Sequence, residues 1–167
     1  MLEPAIKYIE QLTWEQYDTW FNDKYKYWQP GSYGNPIEIA TDIMNEHQFV
    51  SVSDDEVIGY IGYEIDRETN AVDGLNVVNF SNNKVTFGMD LGQALKDIFE
   101  KYHFRKLSFS VVVGNPIEKS YDRMIKKYGG RIVGIKKEEV KLCDGKYYDE
   151  KMYEIFSDEY FSSVSTK

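Results

Sequence analysis

The clearest periodicity in the chain lies near its middle, where Leu91, Ala94, Leu95, Ile98, Phe99 and Tyr102 recur every three or four residues. That spacing lays one apolar stripe along a helix, and Asp90 followed three residues later by Gln93 predicts a capped start. The period then drops to two. Leu107, Phe109, Val111 and Val113 fall on one side of a predicted strand, with serines on the other. The strand runs into "GNPIEKSYDRMIKKYGG". Asn115 is a strong N-cap, Pro116 suits the first helical position, and Glu118 three residues after the cap completes the pattern, so a helix is predicted to start at Asn115. Ile117, Tyr121, Met124, Ile125 and Tyr128 share one face of it, and Gly129-Gly130 supplies a left-handed exit. "RIVGIKKEEVKL" and "YYDEKMYEIF" then predict a closing hairpin that turns at Asp144-Gly145.

The N-terminal half is less regular. Residues 5–12, "AIKYIEQL", read as a short strand, and Thr13 with Gln16 reads as a capping box. Trp14, Tyr17, Phe21, Tyr25 and Trp28 recur at helical spacing until Pro30-Gly31, and Ile37, Ala40, Ile43 and Met44 mark a second, shorter helix after the turn cluster "GSYGNP". From His47 onward β-branched and aromatic residues predict three strands, the first two joined at Asp54-Asp55. Gly59, Gly62 and Gly74 inside them point to bulges or close backbone approach. The tail from Ser157 is polar and is expected to be loosely ordered. The order strand, two helices, three strands, helix, strand, helix, two strands gives one α/β domain over residues 1–167, with helices packed on a mostly antiparallel sheet.

Composition narrows the function. A chain of 167 residues with 42% hydrophobic positions supports a single core. Its formal charge of −8, with lysines and arginines scattered, excludes the broad positive field that nucleic-acid binding needs. No apolar run approaches the ~18 residues of a membrane span, Cys143 is the single cysteine, and the first residues lack a signal-peptide pattern, so a cytoplasmic protein is expected. His47 and His103 lack metal-ligand spacing, and no metal is expected. The aromatic stripe of Trp14, Tyr17, Phe21, Tyr25, Tyr27 and Trp28 reads as core.

With the element order and these motifs in hand, the chain resembles the GNAT superfamily of N-acetyltransferases. The resemblance is best over residues 90–155. There "DLGQALKDIFEKYHFRKLSFSVVV" is similar to the family's cofactor helix and following strand, "GNPIEKSYDRMIKKYGG" to its next strand-to-helix motif, and "GRIVG" with "DGKYYDEKMYEI" to its closing strands. The resemblance implies a twisted sheet splayed between two central strands and flanked by about four helices. It also implies acetyl-CoA as co-substrate, a primary amine of a small molecule or peptide as acceptor, and a monomer or homodimer.

Residue by residue, the resemblance implies that Val77 to Phe80, with Val78, Asn79 and Phe80 foremost, offer backbone groups to the pantetheine arm, and that the aromatic stripe forms a wall of the acceptor site able to hold an alkylammonium group. The family's phosphate loop maps either onto Met89, Leu91 and Gly92 or onto an earlier register at Gly88, with Met89 standing where the family has Arg or Gln. Asn115 flanks the far side of the cleft. Tyr121 is the implied general acid, with Tyr128 a weaker candidate, and Glu64 or Asp73 the candidate base. Asp90, read as the helix cap, places a carboxylate where an anion should bind. That clash leaves a second reading, a catalytically inactive module of the same fold that contacts a protein partner through its aromatic first helix.

Overall fold

The computed structural model of the chain describes residues 1–28, 37–40 and 44–165. One seven-stranded sheet runs through it in the order β1-β2-β3-β4-β5-β7-β6. The strands are β1 (Leu2–Pro4), β2 (Glu46–Ser53), β3 (Glu56–Asp66), β4 (Ala71–Asn79), β5 (Lys106–Val112), β6 (Arg131–Lys141) and β7 (Tyr147–Phe156). Neighbours pair antiparallel throughout, except β4 and β5. Four α-helices accompany the sheet: α1 (Ile9–Thr19), α2 (Lys84–Glu100), α3 (Glu118–Tyr128) and α4 (Ser157–Ser165).

The hairpins follow from turn chemistry. Asp54 and Asp55 both adopt positive φ (53° and 63°), the backbone a tight β2–β3 connection needs and that Asp tolerates. The β6–β7 turn closes at Asp144-Gly145, with Gly145 at φ 78°. β4 and β5 run parallel, so they need a crossover, which α2 supplies.

The alternating apolar residues of the strands feed two cores. Ile61, Tyr63, Leu107, Phe109, Tyr153 and Ile155 face α2, α3 and α4, where they meet Ile98, Phe99 and Ile125. Full burial of each such side chain stabilises the fold by about 1.5–3 kcal/mol. On the opposite face Val50, Val57, Tyr60 and Val78 pack with Leu12 of α1. A Cβ on Gly59 would lie 2.3 Å from the Phe87 ring, so glycine there lets α2 settle onto β3. At the end of α3, Gly129 takes φ 74° and its amide closes onto the Ile125 carbonyl, the exit expected from the sequence.

Several local readings give way to tertiary context. The first strand is Leu2–Pro4; residues 5–12 form a 3-10 turn (Ala5–Tyr8) and then the start of α1. Thr13 is inside α1, where its Oγ1 donates to the Ile9 carbonyl instead of capping. α1 stops at Thr19, and Asp23–Tyr25 is a separate 3-10 turn. The aromatic stripe divides: Trp14 and Phe21 are 67% and 73% exposed, Tyr25 and Trp28 pack against the second core, and the buried residues of α1 are Leu12, Gln16 and Thr19. Residues 37–40 are irregular, and the remainder of the expected second helix, together with the turn cluster before it, lies outside the described residues.

In the second half, α2 begins six residues before Asp90, at Lys84, because Asn83 caps it with an Oδ1 that accepts the Thr86 amide at 3.1 Å. α3 is regular only from Glu118, although Asn115 Oδ1 still accepts the Ile117 amide and the Asn115 carbonyl accepts that of Glu118. The tail from Ser157 is helix α4, held by Tyr160, which is 1% exposed and stacks on Phe99.

Candidate active site

β4 and β5 meet only at their N-terminal ends, through Ala71 with Lys106 and Val72 with Leu107. Beyond that seam β4 carries a bulge: one residue of β3 between Gly62 and Glu64 stands opposite two of β4 between Asp73 and Asn76. A bulge bends its strand and strengthens the local twist, and here it lies just past the last residue of β4 that pairs with β5. The result is a V-shaped gap that opens toward the C-terminal ends of two parallel strands. In open α/β sheets that edge is where ligands enter, because helix N-termini face it.

The open edge of β4 can be assigned by alternation. The Phe80 amide donates to the Ile58 carbonyl of β3 at 2.9 Å, and successive residues of a strand point their backbone groups in opposite directions. Val78 and Asn76 therefore face β3, whereas Val77 and Asn79 turn their N–H and C=O groups into the gap. Of the four residues expected to serve an extended ligand, Val77 and Asn79 are so placed and Val78 is not. Phe80 has both backbone groups committed, since its carbonyl accepts the Tyr25 hydroxyl at 2.9 Å.

A cavity of about 610 Å³ fills the gap, lined among others by Leu75, Val77, Asn115, Tyr121, Tyr27 and Trp28. Tyr121 reaches it from the first turn of α3. Its ring, 4% exposed, is held edge-on by Phe109 at 5.0 Å and Tyr153 at 6.0 Å. Among the described residues its hydroxyl has no hydrogen-bond partner, and burial, with a smaller contribution from Tyr153, raises its pKa above the ordinary tyrosine value. A tyrosine so held keeps its proton and can deliver it into the cavity. Tyr128, by contrast, packs against Tyr160 and takes no part in this lining.

The wall that carries Tyr121 is braced from below. Glu118 accepts the Gly114 amide with one carboxylate oxygen (3.0 Å) and Lys151 Nζ with the other (3.2 Å). Lys151 also donates to Asp122 at 2.7 Å, and the Tyr153 hydroxyl donates to the same oxygen at 2.9 Å. The hydrogen bond to Lys151 holds the Asp122 carboxyl below its usual range, and the bond to Asp122 raises Lys151.

Glu64 does not join Tyr121. It lines a second cavity of about 440 Å³ with Glu46, Asp66 and Asp73, and Asp73 alone of these borders both cavities. Glu46 is raised by burial first and by the neighbouring Glu64 second.

Asp90 faces the sheet, not the helix N-terminus: it accepts the Ser51 hydroxyl at 2.5 Å and pairs with the Met1 amine at 3.0 Å. Gly88, Met89, Leu91 and Gly92 lie inside α2, where backbone amides close helical bonds. At its true start the amides of Lys84, Thr86 and Phe87 are taken by Asn82 and Asn83, and among the described residues only the Val85 amide of the first turn has no partner.

Neither a known family model nor a curated protein sequence matches the chain. Solved structures do. A probable GNAT-family acetyltransferase from Chromobacterium violaceum superposes with a TM-score of 0.70 at 14% identity, over 96% of this chain and 88% of its own. The chain has the GNAT fold. A spermidine N-acetyltransferase SpeG chimera from Vibrio cholerae and hSSAT shares it at a TM-score of 0.69 and 17% identity, covering 96% of this chain and 97% of that one. A further probable acetyltransferase aligns over 70% of this chain and 65% of its own length, at a TM-score of 0.58 and 17% identity. The GNAT fold accounts for the splay, the crossovers through α2 and α3 and the placement of both helices beside the gap. No helix among the described residues is long and apolar enough to cross a membrane.

Proposed function

We propose that the chain is an N-acyltransferase that moves an acetyl group from acetyl-CoA to a primary amine. The observation that carries this reading is the open backbone edge of β4 at Val77 and Asn79, of which Val77 lines the same cavity as the Tyr121 ring. A pantetheine arm has amides at the spacing of an extended chain and can add to β4 as an extra strand. The diphosphate would be served by the Val85 amide and the exposed Lys84 side chain, a smaller anion site than a fully open helix N-terminus.

Acetyl-CoA supplies the activated acyl group. Transfer forms a carbon–nitrogen bond to the acceptor, breaks the carbon–sulfur bond, and needs one proton for the departing sulfur. Tyr121 holds that proton at its hydroxyl, and burial keeps it there until the sulfur develops charge. The attacking amine must be neutral. Asp73, which borders both cavities, is the carboxylate placed to take its proton, with Glu64 behind it in the acidic cavity. Those carboxylates also favour a cationic acceptor, in keeping with the fold shared with a spermidine N-acetyltransferase.

Calorimetric titration with acetyl-CoA, followed by a screen of amines for thiol release, tests the proposal. Micromolar binding and amine-dependent release of CoA are expected. A second reading has its own support: Asn83 occupies part of the anion site, and Trp14 and Tyr17 of α1 and Phe21 just after it stand exposed, as in a GNAT-fold interaction module. Failure of acetyl-CoA to bind would favour it and overturn the enzyme.

A further inference from the structure

After the turn Asp23–Tyr25 the chain crosses the mouth of the cavity. Tyr27 lines the cavity, and its hydroxyl lies 3.3 Å from where a Cβ on Gly114 would sit, beside Asn115 and the start of α3. From there the Tyr27 ring reaches Tyr148 of β7, edge to face, with centroids 6.3 Å apart and planes at 78°. Tyr148 stands opposite Val140, another residue of the cavity wall, and its hydroxyl donates to Asp144 at 2.6 Å. Two aromatic rings set at right angles with a carboxylate behind them form a corner suited to an alkylammonium ion.

That corner already holds an ammonium. Lys26 Nζ lies 4.7 Å from the centroid of Tyr27 and 5.6 Å from that of Tyr148. The first distance is unremarkable by itself, because Lys24, Lys101 and Lys127 lie equally close to the tyrosine that follows each of them. The second is different. Tyr148 is far away in sequence, and the ammonium reaches it because β7 brings the ring there. The side chain of Lys26 is exposed, so it can leave without disturbing the core.

We propose that Tyr27, Tyr148 and Asp144 form a recognition site for an alkylammonium group of the acceptor, and that Lys26 occupies this site as an internal competitor until the acceptor displaces it. The inference rests on the acyl-transfer reading and adds a requirement to it. The nitrogen that attacks is neutral, so a cation site at the rim of the same cavity serves a second nitrogen. The favoured acceptor class is therefore an alkyl chain bearing two amino groups, one seated between the rings and the other free to enter the gap.

The test is calorimetric titration of the intact protein with 1,4-diaminobutane, alongside Lys26→Ala, Tyr148→Ala, Tyr148→Phe and the charge control Lys24→Ala. Acetyl-CoA is titrated into each variant separately. An exposed cation–π contact changes affinity by about two- to fivefold. Lys26→Ala should tighten diamine binding by about that factor and Tyr148→Ala should weaken it equally, while Tyr148→Phe, which keeps the ring, stays near the parent. Acetyl-CoA affinity should not move. Equal tightening by Lys24→Ala would show a general charge effect and overturn the site. So would unchanged affinity in Lys26→Ala and Tyr148→Ala, or no diamine binding by the parent at millimolar concentration. Loss of acetyl-CoA binding in the parent, with the diamine pattern intact, would overturn the acyl-transfer reading and leave the cation site standing.

Discussion

Replacing Tyr121 with Phe isolates the one hydroxyl assigned to chemistry. The ring is 4% exposed and wedged between Phe109 and Tyr153, and phenylalanine preserves that volume and both edge-to-face contacts. The lost hydroxyl has no hydrogen-bond partner among the described residues, so no buried group is stranded by its removal. Folding stability should change by no more than about 0.5 kcal/mol. Catalysis should suffer far more, because a positioned general acid contributes at least ~100-fold, equivalent to about 2.7 kcal/mol of barrier.

The assay is release of CoA thiol at saturating acetyl-CoA and amine, followed from pH 6 to pH 10. Burial raises the pKa of Tyr121 above its ordinary 10.0, so the acid form persists across that range. The sign for stability follows: a raised tyrosine favours the fold below its ordinary value, and the advantage is lost as pH climbs past it toward the folded value. The parent should gain activity with pH as the amine deprotonates and show no alkaline fall from this residue. The Phe variant should show the same rise at roughly one hundredth of the rate. A variant with parental kcat would refute the assignment of Tyr121 as the acid.

Three further outcomes are expected. Lys151→Met leaves Glu118 and Asp122 without their shared cation and should cost about 1–3 kcal/mol, read as a lower thermal midpoint. Because Asp122 is held below its usual range and Lys151 above its own, the parental advantage should survive from about pH 4 to pH 10, shrinking below as Asp122 protonates and above as Lys151 deprotonates. Gly130→Ala would force a Cβ to 2.6 Å from the Glu154 carbonyl oxygen and destabilise by about 1–3 kcal/mol. Gly92→Ala, with open space around it in α2, should stabilise by about 0.5–1 kcal/mol; both are read by denaturant titration. Asn83→Ala should lower stability by about 1 kcal/mol yet tighten acetyl-CoA binding in calorimetry, since it frees the Thr86 amide for a phosphate; weaker binding would overturn the assignment of that helix end to the diphosphate.

The parts of the fold that were legible are those with short-range causes. Gly129-Gly130 ends α3 because the backbone there is left-handed and crowded by Glu159 and Glu154, and the Asp54-Asp55 and Asp144-Gly145 turns follow from residues that accept positive φ. Misreadings arose where two local signals competed and a distant partner decided between them. Asp90 with Gln93 resembles a cap as closely as Asn83 does, but Ser51 and the Met1 amine draw Asp90 to the sheet. The exposure of Trp14 likewise reflects which face of α1 is buried, the face of Leu12, Gln16 and Thr19. Tyr121 and Asn115 could be placed beside the gap from the resemblance. Tyr148 could not, because its meeting with Tyr27 depends on strand pairing that no local window contains.

The seam between β4 and β5 has a mechanical meaning. Two ladder pairs join a four-stranded half, β1 to β4, to a three-stranded half, β5 to β7, and each half is held together by antiparallel ladders. The seam acts as a hinge line at the closed end of the V. A load that widens the gap meets leverage against those two pairs and the helices that span them, while every antiparallel ladder on either side keeps its register. The core on the helix face spans the seam and resists such parting, as does the contact of Tyr27 with Tyr148 at the rim.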